Sequence, residues 1–393
     1  MKTLLFVSHK MNLGGTEKAL LSLISALENQ PVKITLLLLE KGGILTSKIP
    51  RFVDVKYMEG FDEIKPIIVE PPLKTLGKKL MSLELFDAQR FFLLYLKIKI
   101  TGNWYYNYEK VLKNYSHFGC YDVAVAFAGP SDFITYFVYK KVSANKKVQW
   151  IHFDIEKVIS NFNFGKKYYP FFDKIFCVSQ SAMEIFLKHF PNQADKTSVF
   201  HNIVSEVEIK NQAALGETFE DKFDGIRILT VGRFTKEKGQ HLIPEVARQL
   251  KLDKINFRWY LVGDGLEKGK VEQMGFDLGV TDQLFFLGEK ENPYRYMQDC
   301  DIYVQPSLHE GYGITVAEAR VFNRPIVITD FASAKDLIEH EVTGLICGFS
   351  PEEIYKSLKI FFSNPQLVKQ LMCNLDKVKS SPIHQVEKLT SML

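Results

Sequence analysis

Two glutamates lie eight positions apart in the stretch HEGYGITVAE, residues 309–318. Thr315 and Glu318 fit the S/T-x-x-E capping box. In that motif the threonine hydroxyl accepts from an early helix N–H, and the glutamate accepts from the threonine N–H. The pattern predicts a helix that begins near Thr315, but it does not explain the residues before it.

The preceding residues Glu310, Gly311 and Gly313 allow a second interpretation. If the glycines remove side chains beside the helix start, several N–H groups and the positive end of the helix dipole face one spot, which suits a phosphate. Glu310 and Glu318 then place a carboxylate on either side of that spot. Carboxylates beside a phosphate make sense when they accept from hydroxyls, so the motif predicts a sugar nucleotide, with one glutamate for the sugar and one for the ribose.

Two cations leave the end of a predicted strand together in VGRFTKEKG, residues 231–239. Arg233 offers a guanidinium for two parallel contacts and Lys238 a compact ammonium, which together suit a diphosphate. Ligands of α/β domains bind at the carboxyl ends of parallel strands, so this position favours a ligand site over ordinary surface charge.

Two glycine-rich turns are weaker candidates. Gly14 and Gly15 lie between the first strand and the first helix, where backbone N–H groups can approach a phosphate. The alternative is a plain turn that needs glycine dihedrals. Gly263, Gly265 and Gly269 miss the G-x-G-x-x-G spacing by one residue, so they predict a tight turn with Gly263 near a ligand.

No metal site is expected. The D-x-D tripeptide Asp299 to Asp301 precedes a predicted strand, which indicates polarity at a helix end and not a manganese site. The five cysteines lack CxxC spacing and favour neither a disulfide framework nor zinc, so most are predicted to be buried small hydrophobic residues.

The candidate site residues are positioned by the strands and helices around them. Short apolar runs alternate with helical stretches along the chain, and this pattern predicts right-handed βαβ units on parallel sheets. In the second half the predicted strands are 226–232, 257–263, 284–288, 301–305 and 325–329. In the first half they are 2–9, 32–40, 122–129, 146–152, 174–179 and 196–200, with a helix over 16–27. The chain is therefore predicted to form two doubly wound α/β domains.

The polar segment 205–225 has the composition of a linker. It lies between a net basic first half and a net acidic second half of the chain. Residues 1–200 carry 27 Lys and Arg against 18 Asp and Glu, whereas residues 201–393 carry 23 against 28. We expect an N-terminal domain over 1–205 that faces an anionic partner or simply has a solvated basic surface, and a second domain over 206–375. A helical tail over 376–393 is predicted to pack back on the N-terminal domain.

The segment 73–115 interrupts the alternating pattern, being rich in aromatic residues and net basic. It predicts either an interfacial helix on an anionic membrane or a core helix with a basic face. The N-terminal apolar run is too short for a signal peptide, and no stretch reaches the roughly 18 apolar residues of a spanning helix. We therefore expect a cytoplasmic protein, peripheral at the inner face of the cell membrane.

The series VGRFTKEKG, LVGDG, QPSLHEGYGITVAEA, RPIVITDF and TGLI resembles the donor-binding domain of family 4 retaining glycosyltransferases. Glu310 to Glu318 matches the E-x7-E motif of that family, and LGGTEKALLSL matches its N-terminal glycine loop. The resemblance is specific over about 225–350 and looser over 1–205. It implies the GT-B fold, in which two Rossmann-like α/β domains face each other across a cleft.

The resemblance also implies roles for individual residues. Arg233 and Lys238 would bind the donor diphosphate, and Glu318 the ribose hydroxyls. Glu310 and backbone groups of Gly311, Tyr312 and Gly313 would hold the sugar, with Ile314 and Thr315 near the phosphates. His152, after the strand KKVQWI, would lie near the reacting sugar. Where many members have a glycine pair and a glutamate, this chain has DFASAKDLI, in which Asp336 is the candidate replacement.

The implied reaction is metal-independent front-face transfer with retention, without an enzyme nucleophile, from a nucleotide sugar, with UDP the expected nucleotide. The expected acceptor is a saccharide or a polyprenyl-linked saccharide of a bacterial capsule or exopolysaccharide. One rival is a non-hydrolysing sugar-nucleotide epimerase, and another is a non-catalytic sugar-nucleotide-binding scaffold. A nucleic-acid partner is not expected, because the positive charge is diffuse and no recognised motif accompanies it.

Overall fold

The computed structural model describes residues 1–69, 105–113, 115–159, 162–378 and 383–393, together with positions 89, 92, 93, 95, 96 and 100. The chain divides into two compact units. Unit 1 comprises residues 1–201 with 384–393, and unit 2 comprises residues 202–383. Most of the segment 73–115 lies outside the described residues, and with it the prediction of an interfacial helix.

Unit 1 contains a parallel seven-stranded sheet in the described part of the chain, in the order β3-β2-β1-β4-β5-β6-β7. The interior strand β1 is mostly apolar and buried from Leu4 to Ser8, as expected of a strand covered on both faces. The strands are β1 Lys2–Ser8, β2 Val32–Leu38, β3 Asp54–Tyr57, β4 Cys120–Ala126, β5 Ser143–Ile151, β6 Lys174–Cys177 and β7 Thr197–Val199.

Helices connect the unit 1 strands as crossovers, since parallel neighbours cannot be joined by a tight turn. Their buried side chains pack on the sheet, as Leu20 and Ile24 do from the first helix. The helices with described bounds are α1 Gly15–Ala26, α2 Phe61–Val69, α3 Tyr105–Leu112, α4 Asp132–Lys141, α5 Ile155–Val158, α6 Asn163–Tyr168 and α7 Gln180–His189.

Unit 2 contains a parallel six-stranded sheet in the order β10-β9-β8-β11-β12-β13. Chain order runs outward from β8 to β10 and then resumes on the other side of β8 with β11. The two strands that flank this reversal therefore send their carboxyl-terminal loops to the same place, where α/β domains bind ligands. The strands are β8 Ile226–Val231, β9 Phe257–Val262, β10 Leu284–Gly288, β11 Ile302–Gln305, β12 Ile326–Thr329 and β13 Leu345–Cys347.

The helices of unit 2 pack around an apolar core that includes Trp259, Ile243 and Leu358. They are α8 Glu206–Leu215, α9 Ile243–Leu252, α10 Lys268–Asp277, α11 Tyr294–Asp299, α12 Ile314–Arg320, α13 Ala334–Leu337, α14 Pro351–Ser363 and α15 Pro365–Lys377. The last helix of the chain, α16 Ile383–Thr390, belongs to unit 1 from residue 384 onward. It buries Leu389 fully, and its Lys388 donates from Nζ to the carbonyl of Val199 at 2.7 Å.

The segment 205–225, which has the composition of a linker, begins with a helix and belongs to unit 2. The hydroxyl of Ser205 accepts from the N–H of Glu208 at 3.3 Å and caps α8, which buries Ile209 and Ala213. Further along, the carboxylate of Asp221 accepts from Arg227 at 2.9 Å and from Arg258 at 2.5 Å. The polar residue Asp221 thus pairs with the beginnings of β8 and β9.

The predicted strands are otherwise confirmed, and LFFLG matches β10 residue for residue. The prediction that most cysteines are buried is also confirmed, because Cys177, Cys300 and Cys347 are buried and unpaired. Among the described helices, none combines the length and the apolar character that a membrane crossing requires.

Candidate functional site

Lys238 and Glu310 form the centre of the candidate site in unit 2. The Lys238 ammonium donates to Oε1 of Glu310 at 2.6 Å and to Oε2 at 2.7 Å. Only 7% of the Glu310 side chain and 24% of the Lys238 side chain are exposed. Two residues that are 72 positions apart thus make a largely desolvated ion pair, in which the attraction is much stronger than in water.

Close backbone packing brings the two residues together. Lys238 ends a short 3-10 turn, and the next residue, Gly239, has a φ of +68°. A Cβ on Gly239 would lie 1.8 Å from the carbonyl oxygen of Pro306, so only glycine allows this approach. The N–H groups of Leu308 and His309 then donate to the carbonyl of Glu237, at 2.8 and 3.2 Å. The loop after β11 is therefore fastened to the turn after β8.

Glu310 has a second partner that sequence reasoning missed. The hydroxyl of Ser307 donates to Oε1 of Glu310 at 2.8 Å and accepts from Nε2 of Gln305 at 2.9 Å. Tyr303 donates to Oε1 of Gln305 at 2.8 Å. The sequence does contain a signal for this partner. Polar residues recur at every second position, 303, 305 and 307, and therefore share one face of β11 and its continuation.

The capping box predicted for Thr315 and Glu318 is wrong. Helix α12 starts at Ile314, and its N-cap is Gly313, whose φ of +86° lies in the left-handed region. Thr315 donates its hydroxyl to Oε1 of Gln305 at 3.2 Å, and Glu318 accepts at Oε1 from the phenol of Tyr294 at 2.8 Å. The local motif failed because tertiary partners compete for both side chains.

Residues 311–314, which lie between the two glutamates of the E-x7-E motif, continue the loop after β11 to the start of α12. The carbonyl of Tyr312 accepts from the hydroxyl of Ser333 at 3.2 Å, which ties the loop to the start of α13. Burial raises the pKa of the Tyr312 phenol to about 12. Gly311 and Ile314 are half-buried on either side of Tyr312 and Gly313.

Arg233 lies on the same loop as Lys238 but is exposed. Its carbonyl accepts from Nε2 of the buried Gln240 at 3.0 Å, which fixes the backbone. Its guanidinium makes no hydrogen bond or ion pair with any residue that the structure describes. Arg233 can therefore bind an anion without first losing a partner.

Gly263 and Gly265 have a packing explanation. Their φ angles are +141° and +150°. A Cβ on Gly263 would lie 2.1 Å from the carbonyl oxygen of Gly232, and one on Gly265 would lie 2.4 Å from that of Phe234. The turn after β9 therefore supports the backbone from which Arg233 extends, in keeping with the tight turn predicted.

The glycine loop of unit 1 needs no special dihedrals, because neither Gly14 nor Gly15 has a positive φ. Gly14 is the extended N-cap of α1, and a Cβ there would lie 2.4 Å from Oε2 of Glu17. The explanation by glycine dihedrals is wrong for this turn. Close approach of a ligand to the loop stays a prediction.

His152 is buried in unit 1, with 4% of its surface exposed. Its ring centroid lies 4.6 Å from that of Phe127 and 6.3 Å from that of Trp150, and neither ring nitrogen makes a well-formed hydrogen bond to a described residue. Burial lowers the pKa of His152 to about 3, against an opposing contribution from the backbone of Phe127. The imidazole is therefore neutral near pH 7.

Asp299 and Asp301 are held by structural hydrogen bonds. Asp299 accepts from Thr218 at 2.6 Å and from Arg295 at 2.7 Å, and Asp301 accepts from the N–H of Arg227 at 2.8 Å. Asp336 lies half-buried in α13. In the described part of the chain, no three His, Cys, Asp or Glu residues gather as metal ligands.

The candidate site lies within a segment that matches a known protein family. Residues 218–376 match the family model of glycosyl transferases group 1. The match contains the strands β8 to β13 and both partners of the Lys238–Glu310 pair. This part of the chain is therefore similar to the group 1 glycosyltransferases.

Two curated relatives carry names that describe sugar transfer. One is the N-acetylgalactosamine-N,N'-diacetylbacillosaminyl-diphospho-undecaprenol 4-alpha-N-acetylgalactosaminyltransferase of Campylobacter jejuni. It is 27% identical over 203 residues, which are 51% of this chain and 54% of that protein. The other is the O-antigen biosynthesis glycosyltransferase WclY of Escherichia coli, 25% identical over 171 residues, 43% and 46% of the two chains. The chain spans about half the length of the curated relatives it matches.

A solved structure extends the likeness of fold to the whole chain. Anabaena Alr3699/HepE in complex with UDP-glucose aligns over 100% of both chains with a TM-score of 0.71 and 16% identity. The fold class expected from the sequence is confirmed as two parallel-sheet, Rossmann-like α/β units whose structural neighbours are GT-B glycosyltransferases.

Proposed function

We propose that this chain is a retaining glycosyltransferase that moves a hexose from a nucleoside-diphosphate sugar, with UDP as the nucleotide. The observation that carries the proposal is the Lys238–Glu310 pair, which joins the loops after β8 and β11 at the reversal point of the unit 2 sheet. A cation for phosphate and a carboxylate for sugar hydroxyls lie side by side there. The group 1 match and the UDP-bound structural neighbours support this assignment.

Charge development explains the cations. As the glycosidic bond breaks, negative charge builds on the departing diphosphate, and preorganised positive groups lower the barrier. In the proposed mechanism Arg233 and Lys238 bind the diphosphate, Glu310 and the backbone from Gly311 to Gly313 hold the sugar, and Glu318 binds the ribose. Arg233 and Lys238 supply the charge that a metal ion would otherwise supply, so the reaction is metal-independent.

The proposed acceptor is a saccharide, carried on a polyprenyl diphosphate, of a bacterial surface polysaccharide. The Campylobacter relative is named for an undecaprenyl-diphosphate acceptor and the Escherichia coli relative for O-antigen synthesis. The basic excess of residues 1–200 suits such an anionic acceptor at the inner face of the membrane. His152 is proposed to lie near the reacting sugar as a neutral imidazole.

A thermal-shift screen of nucleotides and nucleotide sugars tests the donor assignment. A ligand at 100 times its Kd stabilises the folded state by about 2.7 kcal/mol, so a UDP-sugar should raise Tm by several degrees. Transfer to an added polyprenyl-diphosphate saccharide should follow, with retention at the anomeric carbon. Conversion of the donor without an acceptor would instead identify an epimerase, and the absence of any shift would reject the donor assignment.

A further inference from the structure

Three polar side chains are buried completely along β11 and the residues that follow it. Tyr303, Gln305 and Ser307 have no exposed surface. Burying an amide or a hydroxyl is costly unless it is hydrogen-bonded, and apolar residues would fill the same positions at no such cost. Their contacts therefore need a reason beyond the packing of the sheet.

These side chains form a directed series of hydrogen bonds that ends at Glu310, here called the Gln305 chain. Oε1 of Gln305 accepts from Tyr303 at 2.8 Å and from Thr315 at 3.2 Å. Nε2 of Gln305 donates to Ser307 at 2.9 Å. Because the Ser307 oxygen accepts from Gln305, its single proton is free for Glu310, to which it donates at 2.8 Å.

Lys238 cannot serve as a fixed support for Glu310 during the proposed reaction. Its one ammonium contacts both carboxylate oxygens in this structure, yet the donor diphosphate would draw on the same ammonium. When that attraction weakens the Lys238 contact, a largely buried carboxylate needs another donor. Ser307 is neutral and is itself bonded to Gln305, so the phosphate does not compete for it.

We propose that Gln305 and Ser307 are positioning residues that keep the Glu310 carboxylate aimed at the donor sugar while Lys238 engages the diphosphate. The inference rests on the proposed function, because it takes Glu310 as the residue that holds the sugar. Gln305 acts through Ser307, and neither residue touches the substrate. The Gln305 chain thus separates recognition of the sugar from recognition of the nucleotide.

Titration calorimetry with UDP and with a UDP-sugar tests this separation. UDP lacks the donor sugar that Glu310 would hold, so Ser307→Ala should leave the Kd of UDP within about twofold. The same variant should raise the Kd of the UDP-sugar about tenfold, as expected for loss of one hydrogen bond to a charged group. Gln305→Glu should act in the same direction, because a carboxylate at this position takes the Ser307 proton away from Glu310.

A matched control is Ser357→Ala, since Ser357 is also buried in unit 2 and donates to the carbonyl of Glu353 at 3.0 Å, within α14. It should change neither Kd. Equal weakening of UDP and UDP-sugar by Ser307→Ala, or no change in either, would overturn the inference. If Gln305→Glu does not fold, Ser307→Ala alone decides. If the unaltered protein binds no nucleotide sugar at all, the proposed function itself fails, which is a different result.

Discussion

The phenol of Tyr294 donates a hydrogen bond to Oε1 of Glu318 at 2.8 Å, which joins the first residue of α11 to the middle of α12. Burial and the neighbouring carboxylate both raise the pKa of Tyr294 above its ordinary value, so the phenol keeps its proton and acts as a donor. Only 3% of Glu318 is exposed. The carboxylate is thus oriented by a residue from another helix and not by its own helix start.

Replacing Tyr294 by phenylalanine should weaken UDP binding. The variant keeps the ring and removes the hydrogen bond that orients Glu318, so we expect a loss of about 1 to 2 kcal/mol in binding free energy, roughly a tenfold rise in Kd. Calorimetric titration with UDP measures it. Tyr296→Phe is the matched control, because Tyr296 is a buried tyrosine of the same helix. An unchanged Kd in Tyr294→Phe would count against a ribose-binding role for Glu318.

Removing the ammonium of Lys238 should affect stability and catalysis differently. Lys238→Met leaves the largely buried Glu310 carboxylate without its cation, which should lower the free energy of unfolding by about 3 kcal/mol. Adding Glu310→Gln removes that charge and should restore most of the stability. Turnover should not return, because loss of a cation at the departing diphosphate costs about 2 to 4 kcal/mol of barrier.

Urea unfolding and a donor-turnover assay on both single variants and the double variant check this prediction. Arg233→Ala serves as a comparison, because its exposed guanidinium has no described partner and its loss should reduce turnover without lowering stability. Wild-type turnover in both Lys238→Met and Arg233→Ala would remove these residues from the proposed mechanism.

Adding one methyl group at Gly263 should be strongly destabilising. The residue has a φ of +141°, and a Cβ would lie 2.1 Å from the carbonyl oxygen of Gly232, so we expect Gly263→Ala to cost more than about 2 kcal/mol. Gly269→Ala is the control, since that position lies in α10 with nothing within 4 Å of an added Cβ. It should stabilise by about 0.5 to 1 kcal/mol. Thermal unfolding of both variants would reveal a wrong assignment if they behaved alike.

Stability should depend on pH through Asp132. Burial raises the pKa of this carboxyl from 3.8 to about 7. Between these values the folded protein holds a proton that the unfolded chain has released, so the contribution of Asp132 to stability falls as pH rises from about 4 to about 7, and is constant above that. Asp132→Asn should therefore stabilise by about 2 to 4 kcal/mol at pH 8 and have little effect at pH 4.

Urea unfolding of wild type and Asp132→Asn across this pH range measures the effect. Asp62→Asn is a suitable control, because Asp62 is an exposed residue in the first turn of another unit 1 helix. A constant difference between wild type and Asp132→Asn at every pH would contradict the assignment.

His152 should stay neutral over the working pH range. Its burial lowers the pKa to about 3, so the imidazole carbon signals in an NMR titration should not move between pH 5 and pH 8. Activity should then show no step attributable to this side chain. A titration midpoint near 6.5, the ordinary value, would mean that the ring reaches solvent and can carry charge.

The sheets could be predicted from the sequence because interior parallel strands are mostly apolar runs, such as KTLLFVS in β1 and IVIT in β12. Two strands were missed for a physical reason. The edge strand β3 has four residues with exposed side chains at alternate positions, and β13 has only three residues. Segments this short carry little periodicity, so their assignment depends on composition alone, as it does for the equally short β7, which KTSVF predicts.

The site was predictable as a set of residue types but not as a geometry. The cations of VGRFTKEKG and the glutamates of HEGYGITVAE were assigned to one ligand, and the structure brings Lys238 and Glu310 into contact. The partners of each carboxylate could not be foreseen, because Ser307 and Tyr294 reach them through tertiary packing. The capping box failed for the same reason, since a local rule cannot weigh a partner supplied by another strand or helix.

The docking of α16 has a consequence for the covalent architecture. Lys388 and the buried Leu389 belong to unit 1, so unit 2 is an insertion within the chain of unit 1, entered at residues 201–202 and left at 383–384. A single proteolytic cut in either connection leaves the inserted unit attached through the other. Two cuts are needed to release unit 2. Its release would also break the covalent connection between α16 and residues 1–201 of unit 1.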